Sequence, residues 1–164
     1  MAPSTRDDAF THFVRESGPS LSRTAWLLTG NPDAAADLVQ AALVKTYVAW
    51  HKVTDATASA YARKVMANEN IDRWRRRHGE VVGVPEEPEW AGFESAVADH
   101  DQVARLLQSL PLQQRRVVVL RYYEDLSEQQ VADVLGISVG TVKSTAHRAL
   151  AAMRHHLVAE GDRR

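Results

Sequence analysis

The chain has no cysteine among its 164 residues. Disulfides and thiolate metal sites are therefore excluded. No apolar run approaches the roughly 20 residues that a membrane-crossing helix needs. The opening MAPSTRDDAF lacks the basic-then-apolar order of a signal peptide, so the expectation is a cytoplasmic chain without membrane insertion. The 7 histidines are scattered. His155 and His156 are adjacent and cannot share a helix face, and His147 lies eight residues from His155, whereas ligand pairs need spacings of three or four. No glycine-rich phosphate loop and no serine, histidine and acid set at recognisable spacing is present. The expectation is no metal, no cofactor, no catalytic residue and no enzymatic activity. With 45% hydrophobic and 25% charged residues, the chain has the composition of a folded protein.

Two further absences are local. Residues 80–101 hold no Lys or Arg and seven Asp or Glu. Residues 1–79 hold 11 basic and 8 acidic residues, and 102–164 hold 9 and 6, so each flank carries +3 against −7 in the middle. Within the middle, GEVVGVPEEPEWAG (79–92) carries Pro85 and Pro88, each of which denies a backbone donor and disfavours helix just before it. This stretch reads as an extended linker. The second absence is of acid: no Asp or Glu occurs from Ser138 to Leu157.

The N-terminal flank reads as helices. Asp8–Leu28 carries apolar residues at helical spacings, with Gly18-Pro19 as an expected break. Asn31 is placed to cap the next helix and Pro32 suits its first position, with the helix running to about Trp50. After the loop HKVTDATAS, a third helix spans about Thr57–His78 and ends in RWRRRH. Cations at a helix end are favoured by the macrodipole, so this ending has a purely local explanation. The same helix, however, carries Arg63, Lys64, Arg73, Arg75, Arg76 and Arg77 with Trp74, Asn68 and Asn70 among them. Charge beside an aromatic ring and amides is what tracking phosphates and stacking bases requires.

The C-terminal flank gives the sharper signal. A helix over 100–109 ends at Pro111, and another runs from about Leu112 to Tyr123. Ser127 and Gln130 stand in capping-box register. Counted from Glu128, Val131 and Leu135 take the apolar positions of a helix-turn-helix, Ala132 its small position and Gly136 its turn. Ile137 and Val142 complete a small core, and Ser138 caps the final helix. At about 100° per residue, Val142, Ala146, Ala149, Leu150 and Met153 share one face. Ser144, His147 and Arg148 take the other, with Thr141 and Lys143 on its edges. An acid-free face with Lys and Arg suits a major groove.

On these residues the chain resembles the extracytoplasmic-function (ECF) sigma factors of bacterial RNA polymerase, within the sigma-70 family and of the actinobacterial sigma-E-like type. The likeness is carried by DAAADLVQAALVKTYVAW (33–50), YARKVMANENIDRWRRR (61–77) and LPLQQRRVVVLRYYEDLSEQQVADVLGISVGTVKSTAHRAL (110–150). It implies an all-α chain of two small helical domains, a sigma2-like bundle over 1–79 and a sigma4-like helix-turn-helix domain over 99–164. An acidic linker over 80–98 would join them, threading the polymerase towards the RNA exit path. The function implied is promoter-specific initiation, with reading of the −10 and −35 elements and help in melting DNA.

The implied partners are core RNA polymerase, through the clamp helices of its largest subunit and the flap of its second, and promoter DNA. An anti-sigma factor is a further partner common in the family. Asp37, Leu38, Gln40 and Lys45 match the family's core-binding positions. Arg63, Asn68, Arg73, Trp74, Arg76 and Arg77 match the −10 segment, and the loop near 51–59 the place where a flipped base is captured. Ser138, Thr141, Lys143, Ser144, His147 and Arg148 match the −35 helix. The chain departs from the pattern at Ala41 and Leu43 in the first segment and at Thr145 and Ala146 in the last. Thr145, where Arg is common, leaves the −35 sequence open. Two other readings stand beside this one: a stand-alone helix-turn-helix regulator that binds DNA without polymerase, and a decoy that holds polymerase without initiating.

Overall fold

A computed structural model of the chain describes residues 5–78 and 102–163. The first helix, α1 (Arg6–Thr29), opens on a reciprocal cap: Thr5 Oγ1 accepts from the Asp8 amide, and Asp8 accepts from the Thr5 amide. It does not break at Gly18-Pro19. Pro19 lies inside it, at the cost of one backbone bond and a ring clash worth about 3 kcal/mol. Burial of Phe13 before the proline and of Leu21, Ala25, Leu27 and Leu28 after it offsets that cost, each large side chain contributing roughly 1.5–3 kcal/mol. Gly30 ends α1 in the left-handed region at φ 63°. A Cβ there would also run into the Gln108 side chain, so glycine answers two demands at once.

Asn31 Oδ1 accepts from the Ala34 amide and Pro32 takes the first position of α2 (Pro32–Val48), as the sequence indicates. A short 3-10 turn, Trp50–Lys52, leads to α3 (Asp55–His78), which starts two residues earlier than the sequence suggests. Phe10, Phe13, Tyr47 and Trp50 form an aromatic cluster that fixes the top of this three-helix unit.

The second unit holds α4 (Gln102–Gln108), α5 (Leu112–Val118), a π-helical turn over Val119–Tyr123, α6 (Glu128–Leu135) and α7 (Val139–Gly161). The capping box at Ser127 and Gln130 forms, Gly136 turns the chain at φ 67°, and Ser138 Oγ accepts from the Thr141 amide. Val131, Ala132, Val142 and Ala146 close the helix-turn-helix core together with Val117 and Leu120.

The two units pack on each other. The larger hydrophobic cluster joins Leu27, Leu28, Leu38 and Met66 to Ala104, Leu107, Leu110, Val118, Val119 and Ala149. The smaller one includes Ala67 of α3. The stretch read as linker, 79–92, and the acidic segment 80–98 lie outside the described residues.

Candidate nucleic-acid interface

The face of α7 opposite its core is open. Ser138, Thr141, Lys143, Ser144, His147 and Arg148 are all exposed, while Val142, Ala146 and Ala149 are buried. The first turn is stiffened locally, because Ser138 Oγ and Thr141 Oγ1 lie 2.8 Å apart and Ser144 Oγ donates to the Thr141 carbonyl. Two features here are absent from the one-dimensional pattern. Lys143 Nζ sits 3.6 Å from Glu128 Oε2, so α6 returns an acidic group to the edge of an acid-free face. Thr145 is 2% exposed and faces inward, its Oγ1 accepting from Arg148 at 3.4 Å. The position where a long basic residue is common is thus turned to the core, and a threonine fills it without leaving a gap on the groove face.

On α3 the six residues matched to the −10 segment separate into three surroundings. Asn68, Arg76 and Arg77 are exposed, and Arg73 and Trp74 half-buried. Arg73 Nε lies 3.6 Å from Glu69 Oε2 and its Nη2 donates to the Asp37 carbonyl, so α3 is tied to α2. Asp37, Asn70, Arg73, Arg76 and Arg77 line one cleft of about 480 Å³. Arg63 stands apart: it is half-buried and pairs with Glu124 of the second unit at 3.0 Å. Asn70, which the sequence offered only as an amide on the same helix, is buried against Arg116, whose Nε donates to its Oδ1 at 2.8 Å. Neither cross-unit contact has a sequence signal, since each joins residues 46 or more apart.

At the 3-10 turn a second hollow of about 480 Å³ lies between Val48, His51, Lys52 and Val53 on one wall and Thr57, Tyr61 and Lys64 on the other. Its walls are mainly apolar and its rim carries two lysines. That combination suits a planar ring attached to a phosphate.

The residues matched to core binding do not share a face. On α2, Asp37, Gln40 and Lys45 are exposed, but Leu38 is 1% exposed and belongs to the hydrophobic core, so it is not a surface contact. The buried stripe of the helix is Ala35, Leu38, Ala42 and Thr46. Leu38 lies on that stripe, about 100° from Asp37. The residues that share the outward face with Asp37 and Gln40 are Val44 and Val48, the latter 66% exposed. Apolar residues at 44 and 48, four apart and off the core stripe, were the available signal. Lys45 reaches sideways and donates to Glu69 of α3. That bond holds the Glu69 carboxyl below its ordinary pKa. Burial pulls the other way, and Arg73 adds to the lowering.

Among the described residues no helix is long and apolar enough to cross a membrane.

The sigma-70 region 2 family model matches residues 13–80, and the sigma-70 region 4 model matches residues 100–153. The chain is 42% identical over 154 residues to the RNA polymerase sigma-E factor of Streptomyces coelicolor, covering 92% of this chain and 86% of that one. Among solved structures, the sigma factor RpoE from Bartonella quintana, in complex with the anti-sigma factor NepR, has the same fold with a TM-score of 0.69 at 24% identity, covering 90% of this chain and 96% of that one. CnrH, in complex with the cytosolic domain of CnrY, gives 0.65 at 25% identity, covering 92% and 88%.

Proposed function

The chain belongs to the sigma-70 family of RNA polymerase sigma factors, in its ECF group, and from that premise we propose how its surfaces divide the work of promoter recognition. The protein is an RNA polymerase sigma factor for promoter-specific initiation, so the polymerase makes the bonds and this chain supplies the address. The units 1–79 and 99–164 act as the two reading heads and 80–98 as the strap between them.

The observation that carries the reading is the exposed, acid-free face of α7 behind a rigidly capped first turn. In a major groove, Arg148, Lys143 and His147 meet base edges and phosphates, and Ser138, Thr141 and Ser144 meet the backbone. Along α3, Asn68, Arg73, Trp74, Arg76 and Arg77 follow the −10 strand. The hollow between His51, Lys52 and Tyr61 receives an unstacked base, which stacking stabilises by on the order of 1–3 kcal/mol. Arg63 joins this surface once it leaves Glu124. On α2 we assign Asp37, Gln40 and Lys45, with Val44 and Val48, to the polymerase clamp. The second unit rests on the flap. Both solved relatives named above carry a bound anti-sigma factor or cytosolic partner domain, which supports a partner of that kind here.

Run-off transcription with purified core polymerase and a promoter library tests the function. Transcripts that depend on the protein are expected. Sequence-specific DNA binding by the free chain with no transcripts would instead support a stand-alone regulator, and polymerase binding without transcripts a decoy.

A further inference from the structure

One buried acid stands where the polymerase-facing helix meets the DNA-facing one. Glu69 is 8% exposed, and its two oxygens serve different helices. Oε1 accepts from Lys45 Nζ of α2. Oε2 faces the arginines of α3, 3.6 Å from Arg73 Nε and 4.0 Å from Arg76 Nη2. Glu69, Arg73 and Arg76 stand at i, i+4 and i+7, so they share one face of the helix, with the acid on the N-terminal side that such pairs favour. Arg73 is held a second time, donating to the Asp37 carbonyl at 3.3 Å. Arg73 and Arg76 line the cleft between α2 and α3, and Glu69 does not. The carboxylate therefore acts on that cleft through the arginines.

The first consequence is one of charge. Lys45, Arg73 and Arg76 bring three positive charges and Glu69 returns one negative, so a strand laid along α3 meets fewer free cations than the run of arginines suggests. Each phosphate contact changes affinity by about threefold between about 50 and about 200 mM salt, so one neutralised cation is measurable. The second consequence is one of position. An unrestrained arginine can meet a phosphate from many rotamers, and such contacts hold a strand without fixing it. Phosphate contacts set register, and register decides which base arrives at the hollow by His51 and Tyr61. A carboxylate anchored from the far side by Lys45 cannot follow the arginines, so they take their orientation from it.

We propose that Glu69 is a positioning residue of the −10 surface: anchored by Lys45, it sets Arg73 and Arg76 as a fixed, partly neutralised row, which loosens non-specific grip on DNA and fixes the strand's register. This rests on the sigma reading, since the role exists only if α3 meets the −10 strand. Glu69 touches no DNA itself and works through the two arginines. A purely structural tie between α2 and α3 would have the opposite signature. Losing such a tie lowers affinity for every DNA, whereas releasing restrained cations raises it for unselected DNA.

The test uses holoenzyme assembled from the full chain with saturating core polymerase, so that core binding does not limit the reading. Two forked DNAs are compared: one carries the −10 strand of a promoter recovered by run-off transcription, the other the same strand scrambled. Glu69→Gln should bind the scrambled fork more tightly, by about threefold near 50 mM salt, with a salt slope steeper by about one contact. The ratio of promoter to scrambled affinity should fall by about the same factor. Glu69→Asp keeps the charge but draws the carboxylate back by one methylene. It should leave the salt slope unchanged and still lower the ratio, and it carries the test if Glu69→Gln fails to fold. A ratio unchanged in the variants, including a proportional loss on both forks, would overturn the proposal, as would an unchanged slope in Glu69→Gln. Wild-type protein that yields no protein-dependent transcripts would strike the sigma reading itself, whereas wild-type transcripts with unmoved variants strike this role alone.

Discussion

At the scale of single residues, exposure decides which charged groups are available for binding and which hold the fold. Arg148 is exposed and, among the described residues, is held by no more than a long contact to Thr145, so removing it leaves the core of α7 intact. Arg148→Ala should weaken use of −35-dependent promoters by about 1–3 kcal/mol if it meets a base edge, read as a loss of transcript from those promoters with thermal stability unchanged. Unchanged transcription from every promoter would remove Arg148 from the groove. Glu69 is the opposite case, a nearly buried acid between Lys45, Arg73 and Arg76. Its folded pKa is depressed, so its stabilisation is present at neutral pH and is lost as pH falls below the ordinary carboxylate value and through the folded one. Lys45 is half-exposed, which limits the effect: Glu69→Gln should cost about 1 kcal/mol at pH 7. Chemical denaturation along a pH series should show wild type and variant converging below about pH 4. Parallel curves at all pH values would show that the charge of Glu69 contributes nothing.

At the scale of elements, the local rules were written in the sequence wherever they are local. Asn31 before Pro32, Ser127 with Gln130, Gly136 and Ser138 each sit within four residues of what they cap or turn, and each does so in the structure. The exposed basic face of α7 followed from a 3.6-residue period alone. What the sequence could not show depended on neighbours distant in the chain. The helix through Pro19 persists because the core on both sides of it outweighs a local penalty. Leu38 fell inside a motif but on the buried stripe, and Thr145 looked like a lost basic contact but is core. Glu128 reaches Lys143 only because the turn at Gly136 folds α6 back on α7. Gly30 joins the two kinds of cause, a local φ of 63° and the distant Gln108 side chain. Gly30→Ala should destabilise by about 1–2 kcal/mol. In a Gln108→Ala background part of that cost should vanish, since only the backbone strain remains. A double-mutant cycle by denaturant titration measures the difference, and strict additivity would show that Gln108 exerts no pressure on this position.

At the scale of the whole molecule, the division of charge into basic, acidic and basic segments was visible from composition, and the region 2 and region 4 matches fall on the two basic ones. The closure of one unit on the other was not visible. It depends on pairs such as Arg63 with Glu124 and Asn70 with Arg116, which no period or motif connects. The most direct measurement is the mapping of RNA 5′ ends made by core polymerase on genomic DNA with and without the protein. Ends that require the protein, each preceded by the same pair of upstream motifs at constant spacing, are the expected result. An identical set of ends in both reactions would contradict the account.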